Sequence, residues 1–302
     1  MLNSQDHKGT VLGWEGFEAT ISEINRETEE LKRTLHLPVS EPVYRGQRNT
    51  RWHLTTTLDR RRPGVTLDKY LTIMERIQPR VERVCGEEKW PNLKKEISRL
   101  RGNGLDSIWL FPVKSANTST IRSFMVYLRQ HGFPSPLLDR TSDPYKALFF
   151  AFSGIELDTK SVAVYVLREQ VGLATDAKEE HEARAMTLSL DRESPSERHW
   201  KQEAEYTWCV RKSSSGSSLD YYVFTDHEQV VNGPGFRMEG DTDVEEDNAE
   251  NVVTKYIIPA SEQRKVLASL AQRNVNKCTL FGGTPGNLLE DLWNELVIDS
   301  AV

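Results

Sequence analysis

The chain has 302 residues and a mass of 34.6 kDa, with 37% hydrophobic and 28% charged residues, the balance of a globular protein with enough chain for a sizeable core. A net charge of −6 excludes a general basic coat for nucleic acid but leaves room for a local basic patch. No apolar run approaches the roughly 20 residues of a membrane helix, the opening MLNSQDHKGT lacks the order of a secretory signal, and Cys85, Cys209 and Cys278 are too scattered for a disulfide framework or a zinc site. The expectation is a cytoplasmic protein with no membrane segment and no metal.

In chain order, Trp14, Phe17, Ile21, Ile24, Leu31 and Leu35 recur at spacings of three, four and seven. That spacing predicts an amphipathic N-terminal helix that docks on the domain through its stripe, or else binds a partner. Pro42 ends the pattern, and Val43-Tyr44 predicts a short strand. Residues 67–101 read as helical with breaks at Pro79, Gly86 and Pro91. Thr118 to His131 predicts a helix stopped by Gly132. Leu137-Leu138 predicts a strand. Asp143 and Pro144 are a cap and a first helical residue for the apolar helix Tyr145–Phe152. Ser161–Leu167, Glu205–Arg211, Tyr221–Thr225, Glu228–Val231 and Asn251–Pro259 predict strands, residues 170–200 carry no assignment, and helices are expected over 261–273 and 286–297. Helices first and then mostly strands suggests an α+β fold with an antiparallel sheet. The division is an N-terminal tail and helix at 1–40, then one domain at 41–300 with an acidic loop at about 239–251.

Charge is uneven. Six arginines (Arg45, Arg48, Arg51, Arg60, Arg61, Arg62) stand against Asp59 alone between positions 45 and 62, whereas 239–250 holds seven acids and no base. The acidic run reads as a solvated loop. The arginine run is either a solvated face or a surface that draws phosphate or nucleic acid. No GxGxxG, GxxxxGK[ST], HExxH or paired CxxC is present.

Three islands remain. In the first, Val43-Tyr44-Arg45-Gly46-Gln47, an arginine fork at a strand end is followed by a glycine that lets backbone come close to a phosphate. In the second, HGFPSPLLDRTS runs from His131 to Ser142 into the Tyr145–Phe152 helix. Thr141 and Ser142 there either cap the helix or hold a catalytic residue or a ribose hydroxyl, and Tyr145, Phe149 and Phe150 are core or a base-stacking wall. In the third, Asp226-His-Glu228-Gln-Val-Val-Asn-Gly-Pro-Gly-Phe236, two carboxylates at i and i+2 on a strand share a face, as a site or as plain solvent-facing polarity.

Together the islands resemble the FRG-domain family, named for a Phe-Arg-Gly motif that here is Tyr44-Arg45-Gly46. Gln47, Trp52, Leu54, the block QHGFPSPLLDRT at 130–141, ALFFAF at 147–152 and the closing Leu280-Phe281 with Gly286-Asn-Leu-Leu carry the likeness over roughly residues 40–295. Ser135-Pro136 and Arg140 stand where the family more often has Thr-Arg and Trp.

The order Tyr-Arg-Gly, then Thr-Ser, then acidic-x-Glu also resembles the motif plan of ADP-ribosyltransferases. That resemblance implies a mostly antiparallel split sheet flanked by helices, and NAD as co-substrate. It implies that Arg45 grips the NAD phosphates beside Tyr44 and Gly46. Thr141, Ser142, Tyr145 and Phe150 would line the NAD pocket. Glu228, with Asp226 in place of the first acid, would stabilise the oxocarbenium ion as nicotinamide leaves. It further implies a bacterial toxin or anti-phage defence effector that modifies RNA, DNA or protein and is neutralised by an antitoxin or chaperone. Arg48, Arg51, Arg60, Arg61 and Arg62 would touch a nucleic-acid acceptor. A non-catalytic nucleotide- or nucleic-acid-binding module and an NAD hydrolase are the alternatives.

Overall fold

The computed structural model describes residues 9–34, 39–85, 90–103, 119–168, 183–188, 197–213, 219–230, 253–284, 287 and 289. The acidic loop and nearly all of the helix expected at 286–297 lie outside the described residues. A two-residue strand β1 (Thr10–Val11) precedes helix α1 (Trp14–Thr34), which is the expected amphipathic helix. Its Trp14, Phe17, Ile21 and Ile24 are buried among side chains of α6 (Pro144–Phe152) and α8 (Gln263–Gln272), so the stripe docks on the domain. Strand β2 (Val43–Gln47) follows, then a capping-box helix α2 (Thr57–Arg61), α3 (Leu67–Cys85), α4 (Leu93–Asn103) and α5 (Ser119–Gln130). Pro79 does not break α3. The lost backbone bond is outweighed by the packing of Tyr70, Leu71 and Met74 into the core.

Strand β3 (Leu138–Thr141) leads into α6, whose N-terminus is held by Asp143, its Oδ1 accepting from the Tyr145 N–H at 2.7 Å and the Lys146 N–H at 3.3 Å. Then come β4 (Ser161–Leu167), β5 (Ala183–Leu188), the short α7 (Glu197–Lys201), β6 (Ala204–Lys212), β7 (Tyr222–Phe224), β8 (Val253–Pro259), α8 and α9 (Lys277–Phe281). The expected strand from Glu228 is not one. Residues His227–Val230 form a single 3₁₀ turn, because the Asp226 carboxylate accepts the Glu228 N–H at 2.8 Å and the Asp226 carbonyl accepts the Gln229 N–H at 3.2 Å.

The strands run in one continuous order, β1-β8-β4-β2-β3-β6-β5, with β7 also on β6. Every pairing is antiparallel except β1 with β8. The expected split into two sheets is therefore not found among the described strands, since β2 bridges β4 and β3 without a gap.

The two sheet faces differ sharply. Tyr44, Val164 and Ile258 lie on one face, buried with α1, α6 and α8, and the same face continues through Thr141 to Tyr206, Trp208 and Val210, buried with α3, α4 and α5. All the long helices thus pack on this side. The opposite face carries Val43, Leu138, Ala163, Tyr165, Leu167, Ala185 and Val253, and Leu54 from the segment after β2 packs into it.

Gly46 points to the helical face. A Cβ there would lie 1.8 Å from the Ala147 carbonyl oxygen and 2.7 Å from the Ala151 nitrogen. The glycine of the Tyr-Arg-Gly motif lets the backbone of α6 lie against β2, not a phosphate.

Candidate functional site

Strand alternation sets the site. Arg45, between Val43 and Gln47, projects to the face without long helices. There it is in register with Tyr165, which is in turn in register with Lys255. On the other flank, Tyr44 pairs with Thr141, so the next rung of the antiparallel ladder brings Arg45 alongside Arg140. On β6, Glu205 is in register with Arg140, so one row across five strands reads Lys255, Tyr165, Arg45, Arg140, Glu205.

The segment after β2 and the turn at 226–230 cover this row. Lys255 Nζ donates to the Thr50 carbonyl at 2.9 Å, Gln47 Nε2 donates to the His53 carbonyl at 3.2 Å, and Glu228 Oε2 accepts the Leu54 N–H at 3.1 Å. These three bonds tie both covers to the sheet and to each other.

Beneath them lie polar groups without protein partners. Arg140 is only 3% exposed. Its Nε donates to Thr207 Oγ1 at 2.9 Å, while Nη1 and Nη2 have no partner. Arg45 donates through Nη1 to the Asp139 carbonyl at 2.6 Å, and its enclosed Nε has none. The Tyr165 hydroxyl and Gln47 Oε1 are unpartnered as well. Neither nitrogen of the His227 ring reaches a partner in good hydrogen-bond geometry. Buried polar groups are ordinarily paired, and a cluster of exceptions on one sheet face calls for a functional reason.

The electrostatics follow from burial and neighbours. Burial, joined by the Arg45 charge, pulls Arg140 down to about 9. Burial also lowers Arg45, against the pull of Asp139, and lowers Lys255 against the pull of Glu228. His227 is held neutral by burial and by the Arg140 and Arg45 charges, although the Thr207 backbone favours its proton. Burial raises Asp226, with Glu228 and Asp59 adding to it while the Glu228 N–H and His53 oppose. Tyr165 is raised first by burial. Of the charges acting on it, Glu228 and Asp226 raise it while Arg45 and Arg140 lower it.

The charges of Arg45, Asp226 and Glu228 all act on Tyr165, although about 180 residues of sequence separate the arginine from the two acids. Other expected site residues lie elsewhere. Tyr44 is buried in the helical core. Thr141, on the face opposite Arg45, donates to the Gln202 carbonyl at 2.7 Å and accepts the Asp143 N–H at 3.2 Å. Ser142 Oγ donates to Glu203 Oε2 at 3.1 Å. Tyr145 packs beside Trp14, with the Arg273 guanidinium 4.2 Å from its ring centre, and Phe150 meets Phe281 edge-on at 6.0 Å. None of these contacts reaches Arg45 or Glu228. Arg48, Arg51, Arg60, Arg61 and Arg62 are all exposed, and Arg60 is near enough to Arg45 for its charge to act there.

Tyr165, Arg140, Lys255 and His227 were not identified as site residues from sequence. A signal existed for two of them. In Leu138-Asp-Arg140 and Val253-Thr-Lys255, strand alternation puts a cation on the same face as an apolar neighbour. Tyr165 in SVAVYVL reads as core, and His227 lies in a turn whose fold depends on Asp226.

Among the described residues no group of three or more His, Cys, Asp or Glu side chains could hold a metal ion, and no helix is long and apolar enough to cross a membrane. No curated protein and no solved structure matches the chain. The family model of the FRG domain matches residues 40–160. Arg45 and Arg140 lie inside that stretch; Tyr165, Asp226, Glu228 and Lys255 lie outside it.

Proposed function

We propose that this chain, whose residues 40–160 match the family model of the FRG domain, is an ADP-ribosyltransferase acting on NAD. The observation that carries the reading is that Arg45, Arg140, Glu228 and Asp226 all act electrostatically on the buried Tyr165. Cations and carboxylates thus gather around one tyrosine on this sheet face. NAD has the complementary polarity, an anionic diphosphate and a cationic nicotinamide ribose. The unpartnered N–H groups of Arg45 and Arg140 suit phosphate oxygens.

NAD supplies an activated C1′–N bond. When that bond breaks, its electron pair leaves with neutral nicotinamide and positive charge builds on the ribose. Glu228 stabilises that charge electrostatically. The acceptor then forms the new bond to C1′ with its own lone pair. Its proton goes to Asp226, whose basicity is raised by burial, and then to solvent. The exposed arginines at 48, 51 and 60–62 favour RNA or DNA as the acceptor over protein. With water as acceptor the same steps make an NAD hydrolase. Harm to the producing cell, as a toxin or defence effector would cause, is the expected biological consequence.

A second reading is a non-catalytic nucleotide-binding module. It is favoured by one contact: the Glu228 carboxylate accepts the Leu54 N–H and so also holds the cover in place.

Nicotinamide release from labelled NAD decides between them, measured alone and with RNA, DNA or cell extract. Release that requires one of these acceptors and falls at least a hundredfold in Glu228→Gln is expected; a loss of about 10²–10³ is usual when one stabilising group is removed. Glutamine keeps an acceptor for the Leu54 N–H, so the variant tests the charge and not the cover. With RNA or DNA as acceptor, replacing Arg60, Arg61 and Arg62 by alanine would also flatten the salt dependence. Release without acceptor assigns a hydrolase. No release in any mixture, from folded protein that still binds ADP-ribose, assigns the binding module.

A further inference from the structure

We propose that the exposed tip Arg51-Trp52-His53 is a binding surface for single-stranded nucleic acid, with Trp52 as the platform on which a base stacks. It deepens the proposed reading and rests on it only in making the bound strand the acceptor.

The first observation is how the tip is held. Thr50, at one end, is buried. Its N–H donates to the Ser161 carbonyl at 3.3 Å, its hydroxyl lies 3.1 Å from that of Ser161, and its carbonyl accepts from Lys255 at 2.9 Å. Leu54, at the other end, is buried on the sheet face and gives its N–H to Glu228 at 3.1 Å. Between these anchors Asn49 closes a turn. Its Oδ1 accepts the Arg51 N–H at 3.0 Å and its carbonyl the Trp52 N–H at 3.2 Å. The His53 carbonyl accepts from Gln47 at 3.2 Å. Each tip residue thus has its backbone fixed by a bond, while all three side chains are exposed.

The second is the indole itself. A lone exposed apolar side chain is ordinary on a protein surface. Trp52 differs because it is 50% exposed on a pinned turn, directly between Arg51 and His53. Among the described residues no ring or cation packs on it. A fixed aromatic among cations is the combination that holds single strands: a base stacks on the ring and the phosphates meet the charges. A duplex offers the same phosphates but keeps its base faces stacked inside, so the tryptophan selects single strands.

The third is the surrounding charge. Asp59, the one acid between positions 45 and 62, is spent on its own turn, where Oδ2 accepts from the Thr56 N–H at 3.2 Å and the Thr56 hydroxyl at 2.6 Å. Arg60 Nη1 donates to the Thr55 carbonyl at 2.7 Å, which sets that cation beside the downstream anchor. Neither Arg51 nor Arg60 forms an ion pair among the described residues. The tip also adjoins the acids of the candidate site: Glu228 holds Leu54, and His53 is near enough to Asp226 for its charge to act there.

The test uses the full chain without NAD and fluorescence anisotropy of labelled strands of about 12 nucleotides. The probes are adenine-rich single-stranded DNA and RNA, the same DNA as a duplex, and an abasic strand with the same phosphates. The intact single strands are expected to bind at least fivefold more tightly than the abasic strand and the duplex. Trp52→Ala should lower the intact strands to the level of the abasic one, and Trp52→Phe should restore most of the difference. The dependence of log K on log salt should stay as in the parent in Trp52→Ala and flatten by about 0.7 in Arg51→Ala. Both side chains are exposed, so the variants are expected to melt like the parent. A parent that binds intact, abasic and duplex strands alike, or a Trp52→Ala protein that binds single strands like the parent, overturns the surface. Tighter binding of RNA than of DNA assigns RNA as the natural strand, and the reverse assigns DNA. Strand binding by a chain that never releases nicotinamide would keep the surface and discard the transferase. Nicotinamide release onto a protein acceptor, by a chain that binds no strand, would do the opposite.

Discussion

At the scale of single residues, the candidate site is a set of side chains placed where burial works against them. Asp226 makes this testable. Its folded pKa lies above the ordinary aspartate value, first because it is buried. A carboxyl raised in this way costs stability when ionised. The cost is nil at pH values below the unfolded pKa, grows as pH rises through the interval up to the folded pKa, and is complete above it. Asp226→Asn keeps an oxygen to accept the Glu228 N–H and removes the charge. The variant is therefore expected to melt higher than the parent at pH 7 and at the same temperature at pH 3. Equal melting at pH 7 would show that the cost of burial is not felt there. The aspartate's retention at that cost fits a site that needs a base.

At the scale of elements, the sheet and α6 are joined by a contact that only one residue type permits. The motif's three residues have three separate tasks. Tyr44 fills the helical core, Arg45 faces the other way into the polar row, and Gly46 admits α6. Gly46→Ala keeps an allowed backbone but places Cβ 1.8 Å from the Ala147 carbonyl oxygen, and neither backbone can yield without moving a whole element. A loss of about 3 kcal/mol or more is expected in urea unfolding, at the upper end of the usual cost of overpacking. A loss below about 1 kcal/mol would mean that α6 can lift off β2 freely. Since α6 starts directly after β3, such a shift would also be felt at Arg140.

At the scale of the molecule, the N-terminal helix belongs to the same core as the sheet. Trp14, Phe17, Ile21 and Ile24 are buried against α6 and α8, Glu18 accepts from Arg273 at 2.6 Å, and Glu15 pairs with Lys265. Each fully buried side chain of this kind stabilises the fold by about 1.5–3 kcal/mol, so four of them rival the roughly 5–15 kcal/mol of a whole domain. Deleting residues 1–34 is expected to abolish the cooperative thermal transition or to give insoluble protein. A truncated chain that melts like the parent would show that α1 is an appendage and return it to the role of a partner-binding helix.

Much of the local structure was legible because it depends on neighbours in sequence. The stripe of α1, the Asp143–Pro144 start of α6 and the Val-rich β4 are set by periodicity, capping and side-chain shape. The arginine of β2 and the acidic pair at 226 and 228 were also visible as residue types suited to phosphate and to developing positive charge. What sequence left open was direction. Thr141 and Arg140 are neighbours in the chain, yet one hydroxyl closes on Gln202 while the other side chain reaches Thr207, because alternation sends them to opposite faces and only the pairing with β2 says which face holds Arg45. Glu228 illustrates the same limit: an Asp226 side chain turned back on the main chain makes a 3₁₀ turn of an expected strand. The sequence determined which elements form and which chemistry the chain can offer. The tertiary structure decided which of those groups meet, because strand pairing sets Arg45 beside Tyr165 from a distant part of the chain and burial then raises or lowers the cost of each charge.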